Sequence, residues 1–186
     1  MSPDPVQAKI PRGTAVAGPF VTVHFDGACE PPKGGGVATY GFTVEGDVLN
    51  HEERGLAVAP WSPRATNNVA EYVGAIRSLE WLKAQGFQGT VLLLGDSQLV
   101  IRQLQGEYEV RAAHLKDYHT HLTALAKSFQ EVRPIWIPRE ENARADELTK
   151  LALREEARIS GRSGRPATLR EANTEGRAPE SGERGT

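Results

Sequence analysis

Four acidic residues, Asp26, Glu71, Asp96 and Asp146, stand where the local pattern of the 186-residue chain changes from one element to the next. Carboxylates gathered in one place select hard cations such as Mg²⁺, because Asp and Glu supply only oxygen. Left unpaired in a small space, they repel one another and raise one another's pKa. Each acid also has an ordinary explanation. Asp26, in "VTVHFDGACE", is followed at once by Gly27 and suits a turn at the end of a strand. Asp96 opens the helix after "TVLLLG" and reads alone as an N-cap. Asn68 and Glu71 have the spacing of a capping box. Asp146 falls in the first turns of the last helix, where negative charge suits the dipole. What separates these readings is whether the intervening elements bring the four together.

The middle of the chain alternates clearly. Residues 20–26 read as a strand from their β-branched alternation, and "GVATYGFTVEG" and "DVLNHEERGLAVA" as two more, joined by a short hairpin at Glu45-Gly46-Asp47. "NNVAEYVGAIRSLEWLKAQG" repeats Val69, Tyr72, Val73, Ile76 and Leu79 at helical spacing and stops at Gly86. "TVLLLGD" is a wholly apolar strand fit for a sheet interior. "SQLVIRQLQG" is a short helix, and "AAHLKDYHTHLTALAKSF" a longer one with Leu115, Tyr118, Leu122, Leu125 and Phe129 on one stripe. "VRPIWIP" carries Pro134, which marks an edge or irregular strand, and "ARADELTKLALREEA" is the last helix. The order β-β-β-α-β-α-α-β-α predicts an α/β fold. Its sheet is mixed and five-stranded, three antiparallel strands followed by β/α units, with helices on both faces.

Composition narrows the classes. The length suits one core, 39% of residues are hydrophobic, and net charge is −2, which neither supports nor excludes a nucleic-acid partner. The lone Cys29 allows no internal disulfide and fits a reducing compartment. No signal-peptide pattern or transmembrane run is visible, so a cytoplasmic protein without a membrane partner is expected. Residues 1–18 and 157–186 are poor in large apolar residues and are expected to be disordered, flanking one domain over 19–156.

The first strand and "TVLLLG" are the best candidates for neighbouring central strands. Both lead to an Asp at the C-terminal edge, where open α/β sheets place their sites. The helices carrying Glu71 and Asp146 can each present an acid there. Two cations about 3.5–4 Å apart in such a cluster could activate a water and stabilise the leaving oxygen of a phosphodiester. At this point "FDGAC", "TNNVAEYVGAI", "LLGDSQLVIRQL" and "WIPREENARADELTKLA" resemble, in order, the four signature segments of type 1 ribonuclease H. The resemblance covers roughly Phe20 to Leu153.

The resemblance implies an endoribonuclease that cleaves the RNA strand of an RNA/DNA hybrid with two Mg²⁺ ions, or Mn²⁺ in their place, leaving 5′-phosphate and 3′-hydroxyl ends. It implies that Asp26, Glu71, Asp96 and Asp146 are the metal-binding catalytic acids, with Asp26 shared between the ions and Glu71 also reading a ribose 2′-hydroxyl. Asn67, Asn68 and Gln98 match positions that touch the hybrid in its minor groove, alongside Gly27 of the "FDGAC" segment. Thr66 matches a residue holding a phosphate of the DNA strand. Cys29 matches a position near the hybrid and reads equally as a small half-buried residue.

Two departures matter. Many members carry a mobile His shortly before the last Asp, and here none lies between His121 and Asp146. Arg139 fits the pattern of short members that use an Arg instead; it reads equally as a surface Arg on a phosphate. The basic, Trp-containing handle of well-known bacterial members is also missing, replaced by a short link from Gly106 to Ala113. Phosphate contacts supply most non-specific affinity, which leaves a monomer that binds its substrate weakly or relies on another protein partner. Trp81 and Trp136 read as core, and the five histidines lack the neighbours of a zinc site. Exonucleases of this fold and haloacid-type phosphatases both want a second acid two residues after Asp26, where Ala28 stands. A non-catalytic binding module would have lost an acid.

Overall fold

A computed structural model describes residues 18–32 and 34–162. The chain forms β1 (Phe20–Glu30), β2 (Val37–Glu45), β3 (His51–Leu56), α1 (Asn67–Ala84), β4 (Thr90–Gly95), α2 (Gln98–Leu104), α3 (Ala113–Ala126), β5 (Glu131–Trp136), a 3-10 turn over Arg139–Glu141, and α4 (Ala143–Arg162). The five strands make one sheet in the order β3-β2-β1-β4-β5. β1 pairs antiparallel with β2 and parallel with β4, and β4 pairs parallel with β5. The mixed sheet expected from the sequence is therefore present, with β1 and β4 adjacent at its centre and the Pro134 strand at its edge.

Alternation along the strands sorts the two faces. Val21, Val23 and Phe25 of β1 and Tyr40, Phe42 and Val44 of β2 join Val91 and Leu93 of β4 in one cluster with Tyr72, Ile76 and Leu79 of α1 and Leu115 and Leu122 of α3. The opposite face carries Thr39, Gly41 and Thr43, and α4 lies on it. The Thr39 hydroxyl donates to the Thr149 carbonyl at 3.1 Å, and a Cβ at Gly41 would stand 2.6 Å from the Leu148 Cβ. Every residue of β4 is buried, as expected of a strand covered on both sides. Among the described residues no helix is long and apolar enough to cross a membrane.

Three boundaries and the placement of one tryptophan differ from the sequence reading, each for a physical reason. β1 does not stop at Asp26. It continues to Glu30 because β2 supplies ladder partners, Asp26 opposite Gly41 and Glu30 opposite Val37. The β2–β3 connection is no tight turn at Glu45-Gly46-Asp47. Five residues, 46–50, join the strands, and the Asn50 amide closes the loop on the Gly46 carbonyl at 3.0 Å. α4 continues to Arg162, so residues 157–162 of the expected tail are helical. Trp136 is not core: it is 41% exposed, whereas Trp81 packs against the main cluster and stacks on His51 with ring centroids 4.3 Å apart. The disorder expected at the two ends otherwise falls on residues 1–17 and 163–186, outside the described residues.

The bare α-hydrogen of Gly41 sets how closely α4 approaches the sheet. Gly41→Ala forces a methyl against Leu148 Cβ and the Ala145 carbonyl, the latter 2.8 Å away. An overpacking cost of about 1–3 kcal/mol predicts a drop of several degrees in the thermal midpoint followed by circular dichroism. An unchanged midpoint contradicts this packing.

Candidate active site

The pairing pattern of the sheet makes room for the site. β1 and β4 are paired from Phe20–Thr90 to His24–Leu94, and the pairing stops there, one residue before β4 ends at Gly95. β1 runs on with only β2 beside it, so Asp26 lies two residues past the last β1–β4 pair, and Asp96 follows the last residue of β4. α1 reaches the same place because nothing stands between it and β1. A Cβ on Gly27 would lie 2.1 Å from the Glu71 nitrogen, and one on Gly74 would lie 2.8 Å from the Asp26 carbonyl oxygen. The two glycines let the helix backbone meet the strand backbone, and Glu71 is carried in with it.

The result is a polar cavity of about 150 Å³ lined by Asp26, Gly27, Ala28, Asn67, Glu71, Asp96, Arg139 and Asp146. All four acids singled out in the sequence meet there. None of the first three serves the structural role open to it in sequence. Thr66, not Asn68, caps α1 by accepting from the Val69 N–H at 3.3 Å. Ser97, not Asp96, caps α2 by accepting from the Val100 N–H at 3.3 Å. Asp26 sits inside a strand rather than a turn.

Burial makes these carboxylates expensive to ionise. Asp26 is 8% exposed, and its pKa is pushed up to about 7 by burial, then by the negative charge of Asp96, Glu71 and Asp146, against the pull of the Gly27 N–H. Burial likewise lifts Glu71 to about 7, with Asp96 adding to it, although the Ser97 hydroxyl donates to Glu71 Oε2 at 2.5 Å and opposes the rise. Asp146 goes the other way. Burial works against its charge, but Lys150 and Arg139 outweigh it and hold the pKa below the usual carboxylate value. Arg139 Nη2 donates to Asp146 Oδ1 at 2.8 Å, and Lys150 occupies Oδ2. Asp96 Oδ1 accepts from the Asn142 amide at 2.9 Å.

The donor set is all oxygen and suits a hard divalent cation. Among the described residues no three of His, Cys, Asp and Glu are already drawn round a single point. Glu71, Asp96 and Asp146 are instead tied to Ser97, Asn142, and the Arg139–Lys150 pair.

The other expected site residues divide. Gly27 and Asn67 line the cavity. Thr66 and Asn68 lie beside it at the start of α1, half-buried, and Gln98 is exposed at the start of α2. Cys29 does not reach the cavity. It is buried, its thiol donates to the Ala65 carbonyl at 3.2 Å, and its backbone N–H donates to Asn67 Oδ1 at 3.0 Å. It orients Asn67 rather than facing outward. The sequence reading missed Ser97, Asn142 and Lys150. Their positions, next to Asp96 and four residues either side of Asp146, are the only signal they leave.

Comparison with known proteins agrees with this geometry. A family model described as reverse transcriptase-like matches residues 26–152, from just the first acid to just past the last. The chain is 35% identical over 106 residues to the bifunctional protein Rv2228c of Mycobacterium tuberculosis, covering 57% of this chain and 29% of that one. It is 36% identical over 134 residues to the ribonuclease HI of Halobacterium salinarum, covering 72% of this chain and 64% of that one. It thus spans under a third of the mycobacterial relative and about two thirds of the archaeal one. The crystal structure of LC11-RNase H1 in complex with an RNA/DNA hybrid matches with a TM-score of 0.65 at 30% identity, covering 74% of this chain and 99% of that one. The chain belongs to the reverse transcriptase-like family of ribonuclease H domains. Within it, the chain falls with the type 1 ribonucleases H.

The two raised carboxylates fix a pH dependence. Their pKa values are near 4 in the unfolded chain and about 7 in the fold. Between those values the unfolded chain sheds protons that the fold retains, so metal-free stability falls as pH rises from about 4 to about 7. Asp26→Asn removes its share, and at pH 8 the variant melts higher than the native chain in a chelator. Equal melting at pH 8 contradicts the buried charge.

Proposed function

We propose that this chain is an endoribonuclease that hydrolyses the RNA strand of RNA/DNA hybrids. The observation that carries the reading is the convergence of Asp26, Glu71, Asp96 and Asp146 on one cavity at the sheet edge. The hybrid held by the LC11 relative supports the choice of substrate. Asp26, Glu71, Asp96 and Asp146 would hold two divalent ions, Mg²⁺ or Mn²⁺, with Asp26 between them. When bound, such ions would supply an activated water and charge stabilisation for the leaving oxygen, which would leave 5′-phosphate and 3′-hydroxyl ends.

The chain's own residues do the rest. Glu71, lodged against β1, is placed to accept from a ribose 2′-hydroxyl, the group that tells RNA from DNA. Asn67 at the cavity wall, with Asn68 and Gln98 at neighbouring helix starts, can line the minor groove. Thr66 at the α1 N-terminus suits a phosphate, since the free N–H groups of the first turn point the same way. Arg139 is 73% exposed at its side chain while holding Asp146, so it can turn towards a phosphate without unfolding anything. With no His in this segment, Arg139 is the cation that lines the cavity and would support the departing group. The proposed setting is a monomer in the cytoplasm, a reducing compartment to which the single cysteine is suited.

The test is cleavage of labelled RNA/DNA hybrid beside RNA/RNA and DNA/DNA duplexes, with Mg²⁺ and then Mn²⁺. The native chain is expected to cut only the hybrid, and Asp96→Asn to cut nothing while still binding it. Arg139→Ala is expected to lose turnover while hybrid affinity changes little. A folded native chain that binds hybrid but cleaves in neither metal makes this a binding module instead.

A further inference from the structure

Trp136 closes β5 opposite Gly95, with much of its indole open to solvent. Its Nε1 donates to the backbone carbonyl of Asp96 at 3.1 Å. Six residues on, Asn142 is 1% exposed, and its side-chain amide donates at 2.9 Å both to Asp96 Oδ1 and to the carbonyl of Phe25, the residue before Asp26. The Asn142 carbonyl accepts from the Asp146 N–H at 3.1 Å. One short segment, from the end of β5 to the start of α4, thus touches the peptide beside Asp26, both ends of Asp96 and the backbone of Asp146.

Two details argue against a merely structural role. Asn142 Oδ1 is buried with no hydrogen-bond partner, a cost that an apolar residue at this packed position would not carry. Both acceptors of the amide lie on its nitrogen side, so flipping the group loses both bonds. Trp136, for its part, leaves a large ring in water at the catalytic edge rather than in the core that its strand borders.

We infer that Trp136 and Asn142 are positioning residues that clamp Asp96, the indole fixing its backbone and the amide fixing its carboxylate rotamer. The clamp sets how well Asp96 serves as a ligand, and so rests on the cation-dependent reading above. Partners that orient metal ligands typically change metal affinity or activity by about 10–100-fold when removed.

The experiment is titration of the chain with Mn²⁺ alone, followed by calorimetry, with steady-state hybrid cleavage measured in parallel. Trp136→Phe keeps the ring and deletes only the N–H. Asn142→Asp keeps the shape and deletes the donor. Each is expected to weaken Mn²⁺ binding by about tenfold or more and to lower kcat, with KM for hybrid within about twofold and the circular dichroism of the native fold. Raising Mn²⁺ restores turnover in Trp136→Phe. If Trp136→Phe binds Mn²⁺ as the native chain does and differs only in melting temperature, the clamp is overturned. Should Asn142→Asp fail to fold, Trp136→Phe decides alone. A native chain that binds no Mn²⁺ overturns the metal-holding reading itself, an outcome distinct from loss of the clamp.

Discussion

Burying two carboxylates within reach of two more is the constraint around which this fold is arranged. Asp26 is buried and Glu71 half-buried, so water solvates their charge poorly, and the neighbouring acids add repulsion. Such a cluster survives only where the backbone leaves no alternative. Here the early end of β4 opens the gap. The continuation of β1 along β2 fixes Asp26 in an extended ladder. Gly27 and Gly74 bring α1 so close that Glu71 cannot swing away with its helix. The apolar cluster of β1, β2, α1 and α3 supplies the stability that offsets the charge.

The same constraint explains the neighbours. Ser97, Asn142, Arg139 and Lys150 each donate to one acid, and each occupies a carboxylate oxygen that a cation would otherwise satisfy. Asp26 has no side-chain donor of that kind among the causes of its shift; it relies on the Gly27 N–H. It is therefore the acid left with most to gain from a cation, which agrees with its place at the centre of the cluster.

The link between α2 and α3 is short. The connector from α2 to α3 spans residues 105–112 and is pinned rather than extended: Tyr72 donates to Gln103, whose amide donates to the Glu109 carbonyl. Its one cation, Arg111, pairs with Glu109, and Arg102 of α2 pairs with Glu107. Little free positive charge is offered there to a nucleic-acid backbone, so in the proposed function the grip on a hybrid would rest on the start of α1 rather than on this connector.

Much of this was legible in the sequence. The apolar run of β4 and the helical stripe of α1 followed from their residue patterns, Pro134 pointed to an edge or irregular strand, and β1 and β4 were expected as central neighbours. The four acids were legible because four dull positions shared one edge. Local rules failed where tertiary partners intervened. Asp26-Gly27 reads as a turn until β2 supplies a ladder, and Asn68 and Asp96 read as caps until Thr66 and Ser97 take those bonds. Trp136 reads as core because its neighbours are apolar, yet its strand ends at the open edge. Asn142 left no trace because its partners are 46 and 117 residues away. The central claim is that the acid cluster exists to hold divalent cations. The most direct measurement is an anomalous difference map from crystals of the chain grown with Mn²⁺. A peak bonded to Asp26 and at least one of Glu71, Asp96 and Asp146 is the predicted result. Well-ordered acids with no manganese among them contradict it.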